Sequence, residues 1–105
     1  METQKTISEW SKATFGDSGS NSVVAARALE EMAELLRALT HDDNSQLAAS
    51  EIADTVIVLY RLADRMGFDL HAEIDRKMAV NRTRRWAVGS DGIGYHVRKS
   101  LAGER

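Results

Sequence analysis

Five carboxylates fall in two short motifs, Glu30-Glu31-x-x-Glu34 and Glu51-x-x-Asp54. On a helix, residues three apart sit about 60° apart around the axis and about 4.5 Å along it. Glu31 and Glu34 therefore project side by side, and so do Glu51 and Asp54. If the two segments run antiparallel as neighbours, four carboxylates converge between them. Two unit charges about 5 Å apart repel by about 3 kcal/mol at an effective dielectric of 20. Such a group opposes folding unless something neutralises it. A hard divalent cation is the natural partner. Magnesium takes a few carboxylates and keeps waters and substrate phosphates as its other ligands.

A plainer chemistry fits part of the pattern. Arg27 lies four residues before Glu31, and Arg37 three after Glu34. These are solvated helix-face pairs worth about a few tenths of a kcal/mol each. Glu30 fits that description best. Asp54 does not: it is set among Ile52-Ala53 and Thr55 to Tyr60, which are apolar nearly all round. That setting predicts burial, and a buried carboxylate needs a cation or several donors.

A basic run follows the acids. Arg76, Lys77, Arg82, Arg84 and Arg85 lie between residues 76 and 86, with Asn81 among them and Trp86 at the end. On a helix, Lys77, Asn81 and Arg84 align at steps of four and three, a polar stripe able to grip phosphate oxygens. Arg76, Arg82 and Arg85 point elsewhere and form a solvated face. Cations near a helix C-terminus are also favourable in their own right. A basic stripe opposite an acidic metal cluster suits a polyphosphate, held by magnesium on one side and by Lys and Arg on the other.

The elements that must position these groups read as helices. A first helix is expected over Ile7 to Phe15, then a loop GDSGSNS with Asn21 or Ser22 as N-cap. A second is expected from Val23 to Leu39, with Ala25, Leu29, Met32, Leu36 and Leu39 as one apolar stripe. THDDNS follows as a loop with cap residues. A third runs from Gln46 to Met66 with Ile52, Val56, Leu59, Ala63 and Met66 as its stripe, ending at Gly67. Asp69 caps a fourth that reaches Trp86. Gly89, Gly92, Gly94 and Gly103 mark the remainder as a Gly-rich tail.

Composition narrows the classes further. The chain has 105 residues, no cysteine and no proline. That length fits a single domain over residues 1–105. A disulfide scaffold, a Cys nucleophile and a thiolate zinc site are excluded. Fourteen Lys and Arg against sixteen Asp and Glu give a net charge of -2, so no stable nucleic-acid partner is expected. The opening METQKTISEWSKATFG has no apolar run of signal-peptide length, and no stretch reaches the roughly 18 apolar residues of a membrane span. A soluble, cytoplasmic protein without membrane contact is expected. Walker A, HExxH and serine-nucleophile signatures are missing. Gly89-x-x-Gly92-x-Gly94 follows no expected strand and is not a dinucleotide fingerprint.

The ordered set of motifs resembles the MazG-like, all-α nucleoside triphosphate pyrophosphatase superfamily. The resemblance rests on Glu30-Glu31-x-x-Glu34 with Glu51-x-x-Asp54, on Trp10-x-x-x-Thr14-Phe15-Gly16, on Lys77-x-x-x-Asn81-Arg82-x-Arg84-x-Trp86, and on Asp91-Gly92-x-Gly94-Tyr95-His96-Val97. Together these look like its small dATP/dGTP pyrophosphohydrolase branch. The resemblance implies an all-α, antiparallel bundle of about four helices with a Gly-rich C-terminal tail. It implies hydrolysis of a (deoxy)nucleoside triphosphate between the α and β phosphates, giving monophosphate and pyrophosphate. Glu31, Glu34, Glu51 and Asp54 would hold Mg2+, with Mn2+ a substitute. Glu30 or Glu34 would activate water. Lys77, Asn81 and Arg84 would hold phosphates, and Trp10, Phe15 and His96 would contact the base. A homodimer or homotetramer is implied, because one short helical chain cannot close the site alone. Two rivals remain: an enzyme like phosphoribosyl-ATP pyrophosphohydrolase, against which the Trp10 and GYH elements argue, and a non-catalytic helical module binding through residues 76–86.

Overall fold

The computed structural model describes residues 1–17 and 19–97, without the side chain of Asp42. Ser18 of the first loop and Gly103 of the expected tail lie outside them. The elements are α1 (Gln4–Phe15), α2 (Asn21–Arg37), a π-helical turn (Ala38–Asp42), α3 (Ser45–Arg65), α4 (Leu70–Thr83), β1 (Arg85–Val88) and β2 (Gly94–Val97). The chain divides into two compact units, Met1–Leu70 and the part from His71 on.

In the first unit the helix ends are set by caps. Thr3 and Thr6 form a capping box that starts α1 three residues earlier than its apolar spacing suggests. The Ser20 hydroxyl accepts from the Val23 amide, so Ser20 is the N-cap of α2, not Asn21 or Ser22. The Asn44 side chain caps α3 in the same way. The expected THDDNS loop is in large part the π-helical turn, after which Asp43 adopts a left-handed φ of 43°. This connection returns α3 against α2 as a helical hairpin. Gly67 stands at φ 82° where α3 stops. There the Phe68 amide bonds the Ala63 carbonyl and the Gly67 amide bonds that of Asp64, the paired closure that a left-handed C′ residue allows.

Packing departs from the expected stripes. The buried side of α2 is Val24, Ala28, Glu31 and, at its end, Ala38; that of α3 is Ala48, Thr55 and Ala63. The bulky stripe is rotated one residue away and faces outward. Leu29 is 71% exposed and Ile52 51%, and Met32, Leu36, Leu39, Val56, Leu59 and Met66 are exposed with them. Small residues on the inner side let α2 and α3 approach closely, and this is what brings their carboxylates together. Helix α1 packs on α3. Its Ser8 hydroxyl donates to Asp64, and Lys12 lies 3.8 Å from the same carboxylate. Arg65 ties down the loop between α1 and α2, donating to Asn21 Oδ1 at 3.0 Å and to the Gly19 carbonyl at 2.6 Å.

In the second unit α4 ends at Thr83, so Arg84 and Trp86 are not helical. The tail is a β-hairpin, with Trp86 opposite His96 and Val88 opposite Gly94. The Trp86 indole N–H donates to the Asn81 carbonyl at 2.7 Å, which pins β1 to the end of α4. Period-two alternation over four residues per strand is too short to stand out in the sequence. No described helix is long and apolar enough to cross a membrane.

Candidate active site

The hairpin of α2 and α3 gathers Glu31, Glu51 and Asp54. Each offers one carboxylate oxygen, and these oxygens lie within 4.8 Å of one another. The three differ in surroundings. Glu31 is 5% exposed, Glu51 is half-buried and Asp54 is exposed. The expected burial of Asp54 is thus not found, because the apolar residues beside it, Ile52 and Val56, themselves face outward. Glu34, expected as a fourth ligand, is exposed and stands outside this group of three. It remains near enough to act on Glu51.

Electrostatics mark Glu51 as the strained member. Desolvation, then the Glu34 and Glu31 carboxylates, push its carboxyl above the ordinary value. Its Oε2 is buried with no hydrogen-bond partner. An orphaned oxygen among neighbouring carboxylates is what an oxygen-seeking divalent cation relieves, so the donor set fits magnesium or manganese.

Arg27 supplies positive charge to this end of α2. Its Nη1 lies 2.9 Å from Glu30 Oε2, and its Nη2 lies 2.9 Å from Glu31 Oε1. The Glu30 hydrogen bond, then the Glu31 charge, push Arg27 further above its already high ordinary value. The helix-face pairing expected of Arg27 is therefore present, and it includes Glu30 as well as Glu31.

Beside the carboxylates lies a cavity of about 440 Å³. Glu31, Asp54 and Arg27 line one part, and Trp10, Phe15 and Arg61 another. Trp10 and Phe15 meet edge to face with centroids 5.4 Å apart, and the Arg61 guanidinium lies 5.3 Å from the Phe15 ring centre. This volume matches that of small-molecule sites. Arg61 was not among the site residues expected from sequence, although a signal exists. Asp54, Val58 and Arg61 recur at steps of four and three, which puts them on one helix face.

The remaining expected residues belong to the second unit. Lys77 is exposed on α4. Asn81 is half-buried, its Oδ1 is buried without a partner, and its amide nitrogen approaches Met78 Sδ at 3.9 Å. Arg84 lies past the helix end, so the three-residue stripe stops at Asn81. His96 stacks obliquely on Trp86, with centroids 5.7 Å apart.

The chain is similar to known proteins. The profile of the MazG-like family matches residues 25–95. A dATP/dGTP diphosphohydrolase of Salmonella phage PMBT28 is 35% identical over 96 residues, which is 91% of this chain and 31% of the phage protein. A dATP/dGTP diphosphohydrolase of Cyanophage S-2L is 36% identical over 73 residues, 69% of this chain and 64% of the relative. The chain thus spans about a third of one curated relative and less than two thirds of the other. The solved structure of the Cyanophage S-2L MazG-like pyrophosphohydrolase, bound to dGDP and three catalytic Mn2+ ions per active site, superposes with a TM-score of 0.72 at 31% identity. It covers 92% of this chain and 91% of that one.

Proposed function

Because the chain belongs to the MazG-like family, we propose that it hydrolyses (deoxy)nucleoside triphosphates, of the dATP/dGTP kind, to monophosphate and pyrophosphate. The observation that carries this reading is the orphaned Glu51 oxygen in a three-carboxylate group beside a nucleotide-sized cavity. The relatives named for dATP and dGTP, and the dGDP and Mn2+ of the cyanophage structure, support it. The reading takes residues 1–105 as one catalytic domain working in the cytoplasm.

Glu31, Glu51 and Asp54 would hold Mg2+, with Mn2+ able to replace it and Glu34 completing the set from its edge. The bound cation supplies neutralisation of phosphate oxygens and a water of lowered pKa. The residues do the rest. Glu34 is exposed and outside the group of three, so its carboxylate would orient the attacking water and take its proton. Glu30 is the weaker base, because Arg27 already occupies it. Water's oxygen joins the α-phosphorus, the bond from that phosphorus to the bridging oxygen breaks, and the electron pair leaves with pyrophosphate. Lys77, Asn81 and Arg84 would hold the phosphate oxygens. Trp10, and Phe15 with Arg61 against it, would wall the base, with His96 a further base contact.

The same proposal includes a homodimer or homotetramer. Leu29, Met32 and Leu36 on α2, and Ile52, Val56 and Leu59 on α3, are exposed apolar side chains of the kind an interface would cover. A second copy would cover them and add walls to a site open in one chain.

The test is product analysis with each of the four deoxynucleoside triphosphates and Mg2+. Monophosphate plus pyrophosphate, abolished by chelator, is expected. Orthophosphate release, or the same turnover with chelator present, would overturn the reading.

A further inference from the structure

Glu31 is almost fully buried, and Arg27 is the cation paired with it. The partners differ in exposure: the Arg27 side chain is 58% exposed and that of Glu31 6%. A buried carboxylate beside Glu51 and Asp54 needs a counter-charge, and the guanidinium provides it. Yet Glu31 is also one of the three residues whose carboxylate oxygens lie within 4.8 Å of one another. Guanidinium and divalent cation therefore draw on the same negative charge. Arg27 differs from an ordinary surface partner in one respect. Its second arm is held by Glu30 at 2.9 Å, so it can release Glu31 without leaving the rim of the cavity. Lysine, a point charge, could not divide itself this way.

We propose that Arg27 is a resident placeholder for the metal: it neutralises Glu31 in the metal-free chain and gives that carboxylate up when a divalent cation binds, remaining anchored to Glu30. This rests on the metal site of the proposed function. It makes a prediction whose direction separates it from a supporting role. An arginine that merely orients Glu31 as a ligand would help the metal, and its removal would weaken binding. A placeholder competes, and its removal strengthens binding.

The test is calorimetric titration of Mn2+ into the full chain without nucleotide, for wild type, Arg27→Gln and Arg27→Lys. Arg27→Gln is expected to bind Mn2+ about three- to tenfold tighter, the scale of one net intramolecular hydrogen bond from a largely exposed guanidinium. Arg27→Lys, which keeps the charge and guards against a folding failure, falls between it and wild type. Without metal, Arg27→Gln melts below wild type, because Glu31 is left unpaired; saturating Mn2+ closes that gap. Unchanged or weaker Mn2+ binding in Arg27→Gln, with wild type binding normally, overturns the inference alone. No Mn2+ binding by wild type overturns the metal reading and this inference with it.

Discussion

Glu31 on α2 and Glu51 on α3 bring carboxylate oxygens within 4.8 Å of each other across the helix pair, and Glu31 is buried there. The approach is possible because the inner sides of both helices carry small residues, Ala28 and Ala48 among them. The folded chain therefore holds like charges together at a cost that a cation removes. Two expectations follow from that arrangement, and each has its own measurement.

The metal-free chain should lose stability as pH rises. The folded-state pKa of Glu51 lies above its ordinary value of 4.5, so the folded chain binds more protons than the unfolded one in between. The contribution of Glu51 to stability is then greatest below 4.5 and is lost as pH climbs through the raised value. Melting temperatures measured with chelator across pH 4 to about 8 should fall in that window, and saturating Mn2+ should flatten the fall. A Tm that rises with pH in chelator would contradict the reading of Glu51.

Glu51→Gln removes the raised acid while keeping its shape. Without metal at neutral pH this variant should melt a few degrees above wild type. Its metal-induced rise in Tm should vanish, which differential scanning fluorimetry reads directly. A variant less stable than wild type in chelator, with a normal response to Mn2+, would show that Glu51 is a structural residue only.

Trp10→Ala should separate base binding from metal binding. Loss of one aromatic wall costs about 1–3 kcal/mol per base where stacking is used. A rise in KM of about tenfold or more is expected, with Mn2+ affinity within about twofold of wild type. An unchanged KM would assign Trp10 to packing against Phe15 alone.

Leu29→Glu with Leu36→Glu should break the assembly. Both side chains are exposed on the outer side of α2, so the change costs little within one chain. Light scattering coupled to size exclusion should show wild type as a dimer or tetramer and the double variant as a monomer. A monomeric wild type would remove the oligomer from the account.

Much of this was legible in the sequence, for definite reasons. The helices announced themselves through apolar spacing and, at the end of α3, through Gly67. The acidic motifs announced themselves because spacing of three fixes a shared helix face. Four things were hidden. The outward direction of Leu29 and Ile52 was hidden because a stripe intended for another surface has the same period as a core stripe. The exposure of Asp54 followed from that same ambiguity. The hairpin of Trp86 and His96 was hidden because four-residue strands carry almost no periodic signal, and the cations before it continue a helical pattern past Thr83. Arg61 was hidden as a lone cation on a largely apolar helix, although its step from Asp54 and Val58 puts it on the face that lines the cavity.

The central claim is that the Glu31, Glu51 and Asp54 group is where the triphosphate is cut. Pyrophosphate release from dGTP and dATP, by wild type, Glu51→Gln and Glu34→Gln at saturating Mg2+, tests it most directly. Wild type should release pyrophosphate and monophosphate in equal amounts, and both variants should lose turnover by at least about a hundredfold while keeping their helical circular dichroism. Wild-type rates in Glu51→Gln would contradict the account, because the reaction would then run without the residue on which the site is built.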